Sequence, residues 1–402
     1  MAANTVLLNT PMLSNSPFRA ALAGVRPAQT PVWFMRQAGR SLPEYRAARA
    51  GVGMLTACTT PDLVAEITLQ PVRRHDVDAA VFFSDIVIPL YLCGVGIDMV
   101  DGIGPVLDSP VRSVADVERL VGLEVSDWSV IEDAAALGRR ELAFEKVLLG
   151  FAGAPFTLAS YLIESGQPGV SKAQRRACLR TREFMRCQPE AWAKLATWCA
   201  RLSGEFLAAQ IRGGAEAVQL FDSWVGVLTE SEYREYAQPY TRMALEAAKG
   251  VNHVNFAVAA SHLLEALGET ADVVSVGTDI SLKAAAARLP GKVLQGNLNP
   301  ELLVAATTGD SGMAPHEPES GTGGEGDGGT CGAPYGKTSS TSTIKMFSAK
   351  EKLWQDAEAV LEAGRAAPAH IFNLGHGVIP ETDPGLLTEL VARVHAWRPV
   401  LI

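Results

Sequence analysis

Two arginines stand where an apolar stretch gives way to a helical pattern, in the segment WFMRQAGRSLPEYR. Arg36 follows four mostly apolar residues, and Arg40 comes one helical turn later. Ser41 and Glu44 have the spacing of a capping box, with Pro43 in the first helical turn. Arg40 would then precede a helix N-terminus, whose free N–H groups attract anions. The pattern indicates an anion-binding site, and its alternative is two surface arginines paired with nearby carboxylates.

Asp85 and His376 are two further residues whose surroundings suggest chemistry. Asp85 lies among apolar residues in VFFSDIVIPL, where a carboxylate without partners would be costly. It is either a structural acid that accepts backbone N–H bonds or pairs with an arginine, or an anion kept to receive hydrogen bonds from a ligand. His376 lies between Gly375 and Gly377, which permit a tight turn beside a ligand. A purely structural histidine is the alternative there.

The elements that must position these residues are eight short apolar stretches separated by segments of helical periodicity. Their β-branched and aromatic content is typical of strands buried on both faces of a parallel sheet. Eight strand–helix units predict an α/β chain with a single (β/α)8 TIM-barrel domain over residues 1–402. A doubly wound open sheet is the alternative, although it usually has fewer strands. The stretches cover residues 30–37, 79–86, 146–155, 215–223, 251–258, 273–280, 292–299 and 370–377.

Catalytic groups in such a barrel project from the carboxyl ends of the strands. The residues found there are therefore the candidate site, together with Tyr161 in the helix that follows the third strand. The strand-end residues are Arg36, Gln37, Ser84, Asp85, Ala154, Pro155, Phe221, Asp222, Ser223, Asp279, Asn297, Asn373 and His376.

Several residue types are missing from these positions. No predicted strand ends in lysine, which disfavours Schiff-base chemistry. The chain has neither a His/Cys pattern for zinc nor a G-x-S-x-G nucleophile motif. The sequence thus predicts chemistry without a metal or a covalent enzyme intermediate.

Residues 307–349 depart from the pattern of the rest of the chain. This segment is rich in Gly, Ser and Thr, with ten glycines in the 28 residues from Gly309 to Gly336. Such a composition cannot bury enough apolar surface to offset the entropy of ordering. We predict a flexible insertion between strands seven and eight, whose deletion leaves activity largely intact. Its stretch CGAPYGKTSS is not a phosphate-binding loop, because Cys331 stands where the first glycine is required.

The composition narrows the class of protein and of ligand. A net charge of −9 and a pI near 5.4 argue against nucleic-acid and membrane-surface binding, which need a basic face. An anionic substrate would therefore need positive charge that is concentrated locally. Six scattered cysteines without a C-x-x-C pair are typical of reduced thiols. With no signal-peptide pattern and no apolar run of about 20 residues, we predict a cytoplasmic protein.

Six sequence motifs closely resemble the uroporphyrinogen decarboxylase family. PVWFMRQAGRSLPEYR is similar to the N-terminal signature of that family. FFSDI, SYLIE, QLFDSWVG, LQGNL and FNLGHGV are similar to its later motifs and occur in the same order. The resemblance covers residues 15–305 and 350–400, and the glycine-rich insertion is the main departure from it.

The resemblance implies an enzyme of tetrapyrrole and haem biosynthesis that converts uroporphyrinogen III to coproporphyrinogen III. The substrate is a flexible reduced tetrapyrrole with an acetate and a propionate on each pyrrole ring. Arg36 and Arg40 would bind carboxylates in two-pronged fashion. Asp85 would accept the pyrrole N–H groups and stabilise the cationic ring. The other substrate-binding positions implied are Gln37, Ala38, Gly39, Tyr161, Phe221, Ser223 and His376, and the catalytic ones are Asp85, Arg36, Arg40, Tyr161 and His376.

The resemblance also implies a homodimer that needs no cofactor, because a pyrrole ring protonated at its α-carbon is itself the electron sink. The proton donor stays open: arginine has too high a pKa, whereas a solvent-linked acid and a transiently protonated Asp85 both fit. Two other functions are alternatives. A corrinoid-dependent thiol methyltransferase of the same superfamily would need zinc ligands, and a non-catalytic tetrapyrrole carrier would not need Asp85 for chemistry.

Overall fold

Seven short parallel strands form the central sheet of the computed structural model, which describes residues 16–100, 103–165, 177–309 and 348–399. Two more strands form a separate antiparallel hairpin. In the central sheet the spatial order is β1-β4-β5-β6-β7-β8-β9, and all pairs are parallel. In chain order the strands are β1 (Ala79–Val81), β2 (Ile97–Val100), β3 (Gly104–Leu107), β4 (Val147–Gly153), β5 (Ala217–Asp222), β6 (Asn252–Ala257), β7 (Val273–Ser275), β8 (Val293–Gln295) and β9 (His370–Ile371).

The prediction of an α/β chain built on a parallel sheet is confirmed. Each strand of the central sheet falls inside one of the predicted apolar stretches, and β4 is buried along its whole length. Strand order follows chain order, as expected when each strand is joined to the next by a helical crossover.

The first predicted strand, residues 30–37, is wrong as a strand: only Val32 makes an isolated parallel bridge, to Phe372 next to β9. Val32 also reaches the opposite edge of the sheet, because its C=O accepts from the backbone N–H of Asp78, 2.8 Å away. Parallel pairing does not continue beyond Val32, because the backbone N–H groups of Phe34 and Met35 donate to side-chain oxygens instead of to a neighbouring strand. Phe34 N–H donates to Gln37 Oε1 and Met35 N–H to Asn373 Oδ1, at 3.0 and 3.2 Å.

Helices follow the strands of the central sheet, and six of them begin at a proline, where the missing N–H costs nothing. In chain order the helices of the described ranges are α1 (Pro17–Leu22), α2 (Pro43–Ala48), α3 (Met54–Cys58), α4 (Pro61–His75), α5 (Ile88–Leu92), α6 (Val114–Leu120), α7 (Ser129–Glu141), α8 (Pro155–Glu164), α9 (Leu179–Cys187), α10 (Pro189–Arg212), α11 (Glu230–Tyr236), α12 (Gln238–Glu246), α13 (Leu264–Gly268), α14 (Leu282–Arg288), α15 (Glu301–Thr308), α16 (Ala349–Gly364) and α17 (Pro384–Ala396).

The longest helix, α10, packs against β4 and the helices α7, α8 and α12. Its Trp192 and Trp198 are buried, and each indole N–H donates to a backbone carbonyl, of Tyr236 and Leu123 respectively. Burying each of these rings contributes on the order of 2–3 kcal/mol of hydrophobic free energy. None of the helices in the described ranges combines the length and the apolar character needed to cross a bilayer.

The β2–β3 hairpin lies between β1 and β4 in the chain and was not predicted. Its register pairs Ile97 with Leu107, and both side chains are buried. The hairpin is held to the end of α8, because Leu107 N–H donates to Ser165 Oγ at 2.8 Å. The alternation of apolar and polar residues in this short segment is hard to recognise in the sequence, because a continuous apolar run directly precedes it.

The predicted capping box at Ser41 is also wrong. The N-cap of α2 is Leu42, whose apolar side chain cannot accept a hydrogen bond from the helix. Ser41 Oγ is buried without a hydrogen-bond partner in the described chain. Glu44 instead forms a two-pronged pair with Arg74 of α4, whose Nη2 lies 2.8 Å from Glu44 Oε2. The tertiary ion pair therefore takes the carboxylate that the local motif would have used.

The ends of the predicted insertion 307–349 fall on regular structure. Thr307 and Thr308 are the last residues of α15, and Ser348 caps α16 in a capping box with Glu351. Residues 310–347 of the insertion, including Cys331, lie outside the described residues.

Candidate active site

The predicted site residues lie beyond the carboxyl ends of the parallel strands. Asp85 follows β1, Tyr161 lies in α8 directly after β4, and His376 follows β9. Arg36 follows the Val32 bridge that joins the two edges of the sheet. Because carboxyl ends of parallel strands meet at one edge, these side chains come from distant parts of the chain to the same end of the fold.

Asp85 is a partly buried carboxylate near a cation. Its Oδ1 accepts a hydrogen bond from the backbone N–H of Val87 at 3.1 Å. Burial raises the pKa of Asp85, while the Val87 N–H and the charge of Arg36 act in the opposite direction. Asp85 is thus neither a fully paired structural acid nor a solvated one, and its carboxylate can receive further hydrogen bonds.

Arg36 and Arg40 are both exposed and make no ion pair with any carboxylate of the described chain. The surface-pair alternative for these residues therefore finds no support. Arg36 has φ = 61°, a left-handed backbone conformation that few non-glycine residues adopt. Its side chain runs across Gly377, where an added Cβ would lie 2.5 Å from Arg36 Cδ. Two guanidinium groups that form no ion pair in the described chain give this part of a negatively charged protein a local positive charge.

Gln37 lies between the two arginines in sequence, but its side chain points inward. Only 1% of its surface is exposed. Its Oε1 accepts from Phe34 N–H and its Nε2 donates to Ala79 C=O, at 3.0 and 2.8 Å. The side-chain amide therefore fixes the turn that carries Arg36, and the backbone N–H of Gln37 closes the same turn by donating to Phe34 C=O at 3.0 Å. Ala38 and Gly39 are partly exposed on the same turn.

Aromatic rings line the part of the site formed by β4 and β5. Phe221 is partly exposed and makes edge-to-face contacts with Phe151 and Phe256, with ring centroids 5.4 and 6.0 Å apart. Tyr161 stacks on Trp224 with centroids 4.3 Å apart and an angle of 26° between the rings. Such rings offer flat apolar surfaces for an aromatic or heteroaromatic ligand.

His376 lies on a turn whose glycines are required by close neighbours. The ring is partly exposed, and its Nδ1 is 3.2 Å from the backbone oxygen of Gly377. A Cβ at Gly375 would overlap Thr278, and one at Gly377 would overlap Arg36. The glycine framing seen in the sequence thus reflects close packing on both sides of the histidine.

Three other strand-end residues hold loops by bonds to the backbone. Asn297 Nδ2 donates to the carbonyls of Gly277 and Ile280, and Asp279 Oδ2 accepts from Ser261 N–H. Asn373 Oδ1 accepts from two backbone amides, one of them in the Arg36 segment. Their polarity at strand ends is accounted for by these bonds.

Asp222 and Thr157 are the residues that sequence reasoning undervalued. Asp222 is 1% exposed, and its Oδ1 accepts from Thr157 Oγ1 at 2.7 Å. Burial raises the pKa of Asp222 to about 7, with the Thr157 hydroxyl acting to lower it. The motif QLFDSWVG placed Asp222 beside Ser223, but nothing in the sequence indicated which threonine of α8 would meet it.

Comparison with known proteins gives consistent matches over nearly the whole chain. A protein-family model described as Uroporphyrinogen decarboxylase (URO-D) matches residues 13–310 and 341–397. The uroporphyrinogen decarboxylase of Nocardia farcinica is 44% identical over 387 residues, covering 95% of this chain and 96% of that protein. The one from Rhodococcus opacus is 45% identical over 390 residues, covering 96% and 97% respectively.

Among solved structures, a methyltransferase from Methanosarcina mazei aligns with a TM-score of 0.66 and 15% sequence identity. The alignment covers 95% of this chain and 98% of that chain. At this identity the likeness shows a shared fold alone.

Proposed function

Since the chain belongs to the uroporphyrinogen decarboxylase family, we propose that it removes the acetate carboxyl groups of uroporphyrinogen III to give coproporphyrinogen III. The observation that carries the proposal is the placement of two exposed arginines, Arg36 and Arg40, near the partly buried Asp85: the charge of Arg36 acts on Asp85, and Arg40 and Asp85 both act on Tyr45. A substrate with eight carboxylates around a ring of N–H donors is complementary to that arrangement of charges.

In this account Arg36 and Arg40 bind peripheral carboxylates, and each charge-assisted hydrogen bond contributes roughly 1.5–3 kcal/mol. Asp85 accepts hydrogen bonds from the pyrrole N–H groups at the centre of the folded macrocycle. Phe221 and the ring of Tyr161 pack against the pyrroles, while Ser223 and His376 contact carboxylates or ring edges.

The reaction uses the pyrrole as its electron sink. A proton is added at the ring α-carbon, and the resulting cation lies in the field of the Asp85 carboxylate. The bond between the acetate methylene and its carboxylate then breaks, carbon dioxide leaves, and the electron pair neutralises the ring as an exocyclic double bond. Protonation of the exocyclic carbon and loss of the α-proton give a methyl group and restore the pyrrole. The net change consumes one proton for each carbon dioxide released.

We extend the proposal to the architecture and the assembly. The segment at Val32 is hydrogen-bonded on one side to the chain next to β1 and on the other to the chain next to β9. This supports closure of the sheet into a (β/α)8 barrel within a single domain, with the Val32 segment in the place of the eighth strand. A buried hydrogen bond also supports this closure, because Trp33 Nε1 donates to the side-chain oxygen of Gln295 in β8 at 2.9 Å. A cytoplasmic homodimer is proposed from family membership, and sedimentation equilibrium of the purified chain tests it.

The experiment that tests the activity is anaerobic incubation with chemically reduced uroporphyrin III, followed by oxidation and chromatographic separation of products by carboxylate number. Stepwise loss of acetate carboxyls that ends at coproporphyrin supports the proposal. Tight binding of the porphyrinogen with all eight carboxyls retained would replace it by a carrier function. Neither binding nor turnover would leave only the fold in common with the family.

A further inference from the structure

Asp222 and Thr157 form a buried pair directly behind two predicted substrate contacts, Ser223 and Tyr161. Thr157 lies in the first turn of α8 and is fully buried. Its Oγ1 donates to Asp222 Oδ1 at 2.7 Å and accepts from the backbone N–H of Trp224 at 3.4 Å. A threonine hydroxyl has one hydrogen to donate, so the two bonds fix which way it points.

The two bonds bracket Ser223. The side chain of the residue before it and the backbone N–H of the residue after it both end on the same oxygen, Thr157 Oγ1. Ser223 is partly exposed at the carboxyl end of β5, where the strand leaves the sheet. The hydroxyl therefore fixes both ends of the short turn that presents Ser223.

Thr157 is also linked to Tyr161, through Trp224. Tyr161 is one helical turn after Thr157 on α8, so both lie on one face of that helix. Its ring stacks on Trp224, whose backbone N–H is bound to Thr157. Moving Trp224 would therefore displace the surface against which Tyr161 rests.

We propose that Thr157 and Asp222 are positioning residues that set Ser223 and Tyr161 for substrate binding, an inference that rests on the proposed function. Asp222 acts through Thr157, since it is buried and none of the described residues donates a hydrogen bond to its second oxygen, Oδ2. Asp222 Oδ1 accepts the hydrogen of the Thr157 hydroxyl, so a lone pair of that hydroxyl faces the Trp224 N–H. The pair has no contact with substrate of its own.

The test compares Thr157→Val, which removes the hydroxyl at nearly constant volume, with Thr157→Ser, which keeps the hydroxyl but loses a buried methyl group. Positioning predicts that kcat/KM falls about tenfold or more in the valine variant, mainly through KM, since contacts made equally in ground and transition states act on KM. The serine variant keeps both hydrogen bonds of the hydroxyl and should retain KM close to that of the unaltered protein. Thr241→Val, which also removes a buried threonine hydroxyl, is the matched control and leaves KM unchanged.

A purely structural role would instead lower the melting temperature of the valine variant and the amount of folded enzyme, and leave the KM of the folded enzyme unchanged. An unchanged KM in the valine variant, or a loss confined to kcat, would each overturn the proposal.

A second readout does not depend on turnover. The Tyr161–Trp224 stack contributes to near-ultraviolet circular dichroism, so Thr157→Val should change that spectrum and Thr157→Ser should not. In a Tyr161→Leu background the valine change should vanish, and its persistence there would overturn the pair's link to Tyr161. If the unaltered protein shows no turnover, the proposed function fails, and the spectra still decide whether Thr157 positions Tyr161.

Discussion

At the scale of single residues, the candidate site depends on a glycine that leaves room for its neighbours as well as on polar side chains. Arg36 reaches the site with a left-handed backbone and lies across Gly377, so its guanidinium is directed by a residue that has no Cβ. The same glycine precedes Val378, whose N–H donates to Met35 C=O at 2.8 Å and ties this loop to the Arg36 segment. The two chain segments therefore fit together only when residue 377 is glycine.

Gly377→Ala should displace the Arg36 side chain, because the new methyl group would lie 2.5 Å from its Cδ and 2.8 Å from its Cγ. We expect KM for the porphyrinogen to rise about tenfold, which corresponds to about 1.4 kcal/mol of lost binding. Steady-state kinetics measure this, with Gly122→Ala as the control, since an added Cβ at Gly122 meets nothing within 4 Å. An unchanged KM in Gly377→Ala would show that Arg36 does not bind substrate from this position.

Asp222 should make stability depend on pH. Its pKa is raised to about 7 in the native protein, against roughly 3.9 in an unfolded chain. The native state then binds more protons between these values, so the free energy of unfolding falls as pH rises through that window. Asp222→Asn lacks this slope and should gain stability relative to the unaltered protein, by on the order of 4 kcal/mol between pH 4 and pH 8.

Denaturant titrations of the two proteins at several pH values measure this difference. Tyr233 and Cys178 are the titratable groups that face Asp222, and burial raises the pKa of both, so they stay neutral over this range. A stability difference that does not change with pH would contradict the raised pKa of Asp222.

What the sequence reveals at this scale is which polar residues stand at strand ends, not what they bond to. Asp85, Arg36 and His376 could be named as candidates because a charged or polar residue next to an apolar run needs a hydrogen-bond or charge partner. Gln37 carried the same signal, yet its amide is used to hold a turn. Thr157 gave no signal, because a threonine in the first turn of a helix is ordinary until its partner Asp222 is known.

At the scale of elements, the Val32 segment is the place where the regular pattern gives way to side-chain chemistry. Val32 N–H donates to Asp78 Oδ2 at 2.8 Å, and His395 Nε2 of α17 donates to the same oxygen at 2.8 Å. Lys146 Nζ lies 3.7 Å from Asp78 Oδ1. One buried carboxylate thus joins the start of the site segment to the last helix of the described chain.

Asp78→Ala should destabilise the protein by roughly 3 kcal/mol, because it leaves the largely buried Lys146 and the Val32 amide without this partner. Equilibrium unfolding in urea measures the loss. Glu118→Ala is the control, since its pair with Lys194 is about half exposed and should be worth less than about 1 kcal/mol. Equal effects of the two substitutions would contradict a special role for the buried carboxylate.

The sequence predicted elements well where one physical signal dominates and poorly where two compete. Seven apolar stretches became parallel strands, because burial on both faces leaves a continuous apolar run. Residues 30–37 carry the same run, but side-chain oxygens compete for their amides and end the ladder after Val32. The predicted capping box was wrong for a similar reason, since the Glu44 carboxylate pairs with Arg74 and not with the backbone at Ser41.

At the scale of the whole molecule, the net charge of −9 contrasts with the local arginines of the site. A polyanionic substrate is repelled by the molecule as a whole and attracted at one place. Such an arrangement favours binding in the correct orientation over non-specific adsorption, and it makes binding sensitive to salt.

Residues 311–340 can be removed as a unit, since the family model matches the chain up to residue 310 and again from residue 341. Closing a shorter loop changes the free energy of folding by only about 0.6 kcal/mol per twofold change in length. We expect the deletion to leave the melting temperature and kcat/KM nearly unchanged. A large loss of activity, measured in the same porphyrinogen assay, would show that the segment contributes to the site or to an assembly contact.

The measurement that most directly tests the central claim is a comparison of turnover and substrate affinity for Asp85→Asn. The amide keeps the shape and removes the charge proposed to stabilise the cationic pyrrole, so kcat should fall by about 10²–10³-fold, the range typical of losing one preorganised electrostatic contact. Affinity for the porphyrinogen should fall far less, because Arg36 and Arg40 still bind its carboxylates. Asp98→Asn, an exposed aspartate on the β2–β3 hairpin, serves as the control. Near-normal turnover in Asp85→Asn would contradict the account.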